Sequence, residues 1–305
     1  MSRALSHLLG IVITIVLGTY FFVNYCSSCA ATPDVKSDPI TTVAPLKTTP
    51  KPTSFPFSIT EESGSFDYNT NENFNFMYSN AAFLTPLDTT VVLGVRSLKN
   101  YLSQNNSKVI NIIGYYKNDE TNNTIFPNLG IARANNIKNY FVTNGISSTQ
   151  MNTSGVVMET MVADEDTFLG PVAYAIAEAE NNKESLKQIY SSITDAPIIV
   201  HFNTGEANIR LQDDQRQKIA MIAAYLDKVP TATCSVVGHT DNTGNRAANI
   251  DLGLERAEFV KTYLKNNGIP AHQIKATSNG PDTPIASNID EEGRAKNRRT
   301  VITLN

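Results

Sequence analysis

What this chain lacks narrows its chemistry before any motif is considered. It has no excess of positive charge, since 25 Lys and Arg stand against 29 Asp and Glu. A polyanion such as nucleic acid calls for the opposite balance, because its phosphates are met by basic side chains. The short basic cluster Arg294, Lys296, Arg298 and Arg299 reads instead as a solvated edge or a set of structural pairings, and no nucleic-acid partner is expected. Histidine is scarce: His7, His201, His239 and His272 are the whole supply, and they show no HExxH-like spacing. A zinc hydrolase therefore has no ligand set, and neither a metal nor another cofactor is expected. His201 and His239 read as packing or hydrogen-bonding residues. Cysteine is limited to Cys26, Cys29 and Cys234. The Cys26-x-x-Cys29 pair has no thioredoxin-like strand and helix around it. Cys234, in an expected strand, reads as a small buried residue with no reason to meet His239 as a nucleophile and base. No catalytic residue is assigned, and the chain is expected not to be an enzyme.

Length and 41% hydrophobic residues suffice for two globular domains. The stretch Leu8 to Tyr25 carries no charge. As a helix it would span about 27 Å, close to the hydrocarbon core of a bilayer. Arg3 precedes it and the first charge after it is Asp34, so the positive-inside rule places the bulk of the chain outside the cytoplasm. No A-x-A-like site follows, which favours an uncleaved anchor over residues 1–29. Cys26 and Cys29 directly after it leave three alternatives open: a lipidated cysteine, a disulfide or redox pair, or two thiols at the membrane surface. Residues 30–57 are rich in Thr and Pro, with Pro33, Pro39, Pro45, Pro50, Pro52 and Pro56 blocking regular structure. Such a linker reaches between about 30 Å as a coil and about 87 Å as polyproline II.

The stretch that organises the rest is Val236 to Gly268: an apolar run, a loop of turn formers, then a helical pattern. The helix is expected to start near Gly253 as N-cap and to stop at Gly268, just before Pro270. Leu254, Ala257, Val260, Lys261 and Leu264 recur at helical spacing and would form the face against a sheet. Arg256 would then lie in the first turn, where free N–H groups and the helix dipole already favour an anion. With Asp241 in the loop before it, the pair is suited to a zwitterion, ammonium on Asp241 and carboxylate on Arg256. The two could equally close on each other as a surface salt bridge.

GHTDNTG from Gly238 to Gly244, Asn249, Leu252, the Arg256-Ala257 pair and GRAKNRR from Gly293 to Arg299 occur in that order. They resemble the C-terminal domain of the OmpA family, shared with peptidoglycan-associated lipoprotein and flagellar MotB, from about Ile198 to Leu304. The resemblance implies that Asp241 and Arg256 bind diaminopimelate in the peptidoglycan stem peptide, supported by Thr240, Asn249 and Arg298. Two positions depart from the family pattern: Asn203 stands where Asp is usual after Phe202, and Gly253 where Ser is common.

The chain also repeats itself. LGIARANNIKNYFVTNGI from Leu129 lies over LGLERAEFVKTYLKNNGI from Leu252, and VINIIG from Val109 over TCSVVG from Thr233. Two OmpA-like β-α-β-α-β domains follow, 66–180 and 183–305, each an α+β fold with helices on one face of a mixed sheet. In the first, Arg133 occupies the place of Arg256 and Lys117 that of Asp241, which would leave two positive charges and a degenerate site. Val156 to Gly170, with Glu159, Asp164, Glu165 and Asp166, replaces GRAKNRR and is expected to be a surface for an envelope protein partner. The whole reads as a periplasmic cell-wall anchor, with the inner membrane favoured over an outer-membrane lipoprotein. A MotB-like stator would need a carboxylate within Leu8 to Tyr25, and there is none. A structural component of an envelope secretion or motility machine remains an alternative.

Overall fold

The computed structural model describes residues 50–180, 182–201 and 211–305. The apolar run from Leu8 to Tyr25, Cys26, Cys29, most of the linker and the Phe202-Asn203 pair lie outside them. Among the described residues no helix is long and apolar enough to cross a membrane.

The first half opens with the antiparallel pair β1 (Phe57–Thr60) and β2 (Asp67–Thr70), followed by the short β3 (Phe76–Met77). Folded structure thus begins ahead of residue 66, because Phe57 and Ile59 supply fully buried apolar surface. Helix α1 (Thr89–Gln104) is capped by the Asp88 side chain and buries Val91, Val95, Leu98 and Leu102, one stripe at helical spacing. Next come β4 (Lys108–Tyr116), α2 (Leu129–Thr143), β5 (Met151–Val157), β6 (Thr167–Phe168) and β7 (Val172–Glu178). Their sheet has the order β5-β4-β7, with β4 parallel to β5 and antiparallel to β7. Strand β1 pairs with β2 outside this sheet, and β6 pairs with β3. The Val156 to Gly170 stretch is therefore partly strand, bound back onto the start of the half.

The second half comprises α3 (Lys183–Asp195), β8 (Ile198–His201), α4 (Asp213–Lys228), β9 (Cys234–His239), α5 (Arg246–Asn266), β10 (Ile274–Gly280), α6 (Glu291–Asn297) and β11 (Arg299–Leu304). The sheet runs β10-β9-β11-β8, with β9 parallel to β10 and β11 antiparallel to both β9 and β8. Alternate residues are buried, Cys234 and Val236 on β9, Ile302 and Leu304 on β11, Ile198 and Val200 on β8. This period of two is that of a sheet with one covered face.

Helix α5 departs from expectation at its start. It begins at Arg246, capped by Asn245, whose side chain accepts from the Ala247 N–H at 2.8 Å. Asparagine offers an acceptor that Gly253 lacks, and Arg-Ala-Ala propagates a helix well, so the earlier cap wins. Its buried face is Asn249, Gly253, Ala257, Val260 and Leu264, whereas Leu254 is 41% exposed. The end is where the sequence puts it, at Gly268 with φ of +97°.

The halves share packing. Ile125, Phe126 and Ala132 of the first belong to the same buried cluster as Ile219, Leu226 and Ile269 of the second. Lys138 and Asp227 form a buried ion pair across the seam at 2.6 Å, and Lys228 donates to the carbonyls of Thr149 and Met151.

Candidate functional site

A crossing of two glycines builds the site. Gly238, near the end of β9, lies against Gly253 in α5 so closely that a Cβ on Gly238 would overlap the Gly253 carbonyl. Strand and helix approach at backbone distance only because neither carries a side chain there. One turn beyond this crossing, Arg256 is brought over the mouth of β9, its Nη1 3.5 Å from the His239 carbonyl. It lies ten residues past the first residue of α5, roughly 15 Å along the axis. The helix N-terminus therefore does not share its anion, and the first-turn placement expected from a Gly253 cap is wrong.

Thr240, Asp241, Asn249, Arg256 and Arg298 nonetheless line one open cleft of about 650 Å³, together with Thr243, Leu252, Glu291 and Arg294. Asp241 does not close on Arg256. Its Oδ2 accepts from Arg298 Nη1 at 2.9 Å and its Oδ1 from the Thr243 N–H at 2.9 Å, which fixes the carboxylate plane. Burial alone would raise this carboxyl, but the hydrogen bonds from Arg298 and Thr243 outweigh it and hold it below the usual range. Arg298 is a direct member of the site, forked between Asp241 and Glu291, whose Oε1 is 2.6 Å from Nη2. These hydrogen bonds raise the Arg298 pKa, whereas burial and then the charge of Arg298 lower that of Arg256. Two guanidinium groups facing one cleft, one of them poorly solvated, favour an incoming anion. Two buried polar atoms at this cleft, Thr240 Oγ1 and Arg298 Nε, have no hydrogen-bond partner among the described residues. Asn249 supports from behind, its Nδ2 donating to the Thr243 carbonyl at 3.0 Å and pinning the loop.

GRAKNRR proves to be a frame for this cleft. Gly293 leaves room for the Ser287 carbonyl, and the fully buried Asn297 holds the Ile285 and Ala286 N–H groups on its Oδ1. Arg294 donates to the Asn288 and Ile289 carbonyls, and Arg299 to that of Thr283. Thr283 in turn meets His239 Nδ1 at 2.9 Å. Glu291 and Arg294 were missed from sequence. Asp290 followed by Glu291 and Glu292 is a helix-start signature that would have placed α6 and its first-turn acid at the cleft.

In the first half the corresponding charged residues are already engaged. Lys117 turns out to Asp119 at 3.4 Å, and Arg133 is fully buried against Glu120, so two uncompensated positive charges do not arise.

The second half is thus an α+β domain, a mixed sheet backed by helices with a charged cleft where a central strand runs into its helix. The family model described as OmpA family matches residues 82–169 and 201–298, and the chain belongs to the OmpA family. Among curated relatives, outer membrane protein Omp38 of Acinetobacter baumannii is 42% identical over 106 residues, 34% of this chain and 29% of that protein. Peptidoglycan-binding protein ArfA of Mycobacterium bovis is 35% identical over 120 residues, 39% of this chain and 36% of that protein. Peptidoglycan-associated lipoprotein of Pasteurella multocida is 32% identical over 137 residues, 44% of this chain and 91% of that protein. The chain thus spans about a third of the length of the first two.

Proposed function

We propose that the chain binds peptidoglycan without covalent chemistry, taking the zwitterionic centre of diaminopimelate into the cleft and tethering a membrane-anchored protein to the wall. The observation that carries this is the convergence of Asp241 and Arg256 on one cleft in which Thr240 Oγ1 and Arg298 Nε lack partners among the described residues. In this reading Asp241 takes the ammonium, while Arg256, Thr240 Oγ1 and Arg298 Nε converge on the carboxylate. Each charged hydrogen bond contributes about 1.5 to 3 kcal/mol, so two or three of them give roughly micromolar to millimolar affinity. A polymeric ligand and confinement at a membrane raise the effective concentration enough for such contacts to hold.

The anchor itself belongs to the same proposal: a helix over Leu8 to Tyr25, the linker 30–57, and two tandem OmpA-like domains over 66–180 and 183–305, in the periplasm. The names of the relatives and the paired family matches support this reading. Titration calorimetry of the full chain with a diaminopimelate-containing muropeptide tests it. Asp241→Asn and Arg256→Ala should each abolish the heat and Lys117→Ala should leave it unchanged. Heat retained in both cleft variants would remove the assignment.

A protein partner on the first half is a second proposal, favoured by exposed Met77, Tyr78, Val156 and Val157 beside the acidic residues of the Val156 to Gly170 stretch. Deleting that stretch should cost the chain its complexes in envelope pull-downs, as a component of a secretion or motility machine would require.

A further inference from the structure

Both halves contain the same crossing of strand and helix. Gly114 on β4 meets Gly130 on α2 as closely as Gly238 meets Gly253, backbone against backbone. Three residues past the helical glycine stand Arg133 and Arg256. One residue past the strand glycine stand Tyr115 and His239, whose carbonyls face these arginines, Nη1 to oxygen being 2.9 Å in the first half and 3.5 Å in the second. The two guanidinium groups therefore occupy the same seat relative to their sheets, and the halves differ in what else surrounds it.

In the first half the seat is full. Arg133 Nη1 donates to Glu120 Oε2 at 3.1 Å, Nη2 to Oε1 and Nε to the Asn80 carbonyl. Neither charged side chain has any exposure, and the rings of Phe76 and Phe168 lie 5.5 and 5.4 Å from the guanidinium carbon. The same carboxylate accepts from the N–H groups of Ser79 and Lys117, so it ties down the loop between β4 and α2. In the second half, counting from the strand glycine, Gly244 falls where Glu120 stands, with φ of +92° and no side chain to offer.

We propose that the first half is a self-liganded copy: the Glu120 carboxylate occupies the anion seat of Arg133, and the loop it holds has become the fastener for the second half. The fastener is visible a few residues on, where Ile125 and Phe126 of this loop are buried in the cluster built mostly by the second half. Helix α2 carries the matching adaptation. Besides its apolar face toward its own sheet it buries Ala132 and Lys138 at the seam, the latter on Asp227. The ligand class for the Arg133 seat is thus a small carboxylate, supplied by the chain itself. The proposal shares with the wall-binding reading only the equivalence of the two arginines.

The test uses the full chain carrying Glu120→Ala, unfolded by heat in sodium chloride and in sodium formate at matched ionic strength. An uncompensated buried guanidinium should lower Tm by about 10 °C in chloride. Formate, filling the vacated seat, should restore at least half of the loss while leaving the parent unchanged. A variant within about 2 °C of the parent, or one equally weakened in both salts, overturns the proposal. If the variant is unfolded in chloride, return of the native circular dichroism on refolding in formate is the expected result, and no return in either salt overturns it. Calorimetry gives the second arm: the parent should bind one muropeptide per chain and Arg256→Ala none, whereas a second site retained in Arg256→Ala contradicts a sealed first half. A parent that binds no muropeptide would count against wall binding and leave the formate arm intact.

Discussion

Arg298 commits its two terminal nitrogens to Asp241 and Glu291, leaving Nε as the buried donor at the cleft. The rigid guanidinium fork holds both carboxylates while keeping Nε aimed in a fixed direction, a geometry that the point charge of an ammonium does not reproduce. Arg298→Lys should therefore weaken muropeptide binding about tenfold, the loss of roughly one charged hydrogen bond, and an unchanged Kd by calorimetry would show the fork to be dispensable. His239 ends β9 two residues before Asp241, and burial, reinforced by the charge of Arg299, pushes its imidazole down to about 4. The folded pKa lies below the unfolded value of about 6.5, so neutral His239 contributes stability above pH 6.5. That contribution erodes as pH falls from about 6.5 to 4, at up to about 1.4 kcal/mol per unit. The stability gap between the parent and His239→Gln in urea should shift in the parent's disfavour across this window; a constant gap from pH 7 to 4 would rule out His239 as the titrating group. The Asp241 carboxyl is held below its usual range, so binding itself should persist through most of it. At this scale the sequence motifs name residues that line one cleft, although Arg256 stands ten residues into its helix and not in the first turn. They did not show which arginine meets which acid, because a helix-start signature places Glu291 in the first turn of α6 without saying which guanidinium it faces across the cleft.

Strand β9 and helix α5 show how an element can be assigned correctly and its frame misjudged. The apolar run, the turn formers and the Gly268 stop were all legible. The start was not, since Gly253 and Asn245 are both acceptable caps on local grounds, and only the approach to Gly238 explains why a glycine sits in mid-helix. This yields a prediction opposite in sign to intrinsic propensity. Alanine is ordinarily tolerated better than glycine within a strand, yet Gly238→Ala should destabilise by about 1 to 3 kcal/mol in urea unfolding, because the added carbon meets fixed backbone. It should also displace Arg256 and reduce binding. A neutral or stabilised variant would mean that strand and helix can separate without cost.

For the molecule as a whole, the repeat was plain in the sequence and the seam between its copies was not. Ile125 and Phe126 lie in an irregular loop without periodicity, and Lys138 and Asp227 are 89 positions apart. Nothing local marks them as partners. Burial pushes the Asp227 carboxyl up, while the nearby Lys138 charge works against that rise. Lys138→Met should therefore cost about 3 to 5 kcal/mol by stranding a buried carboxylate, and adding Asp227→Leu should recover most of it. If the single and double variants unfold alike, the pair is not what holds the halves in place.

The register of the second sheet has a mechanical corollary. The chain enters β8 at Ile198, opposite Ile302, while the cleft opens past the other end, where Arg299 faces His201 and Thr300 faces Gly238. In the proposed anchor, tension passed on to β8 at Ile198 and resisted at the cleft would pull neighbouring strands lengthwise in opposite directions. The rungs of the β8-β11-β9 ladders would then share the load together, in shear, and would not open in succession like the teeth of a zip.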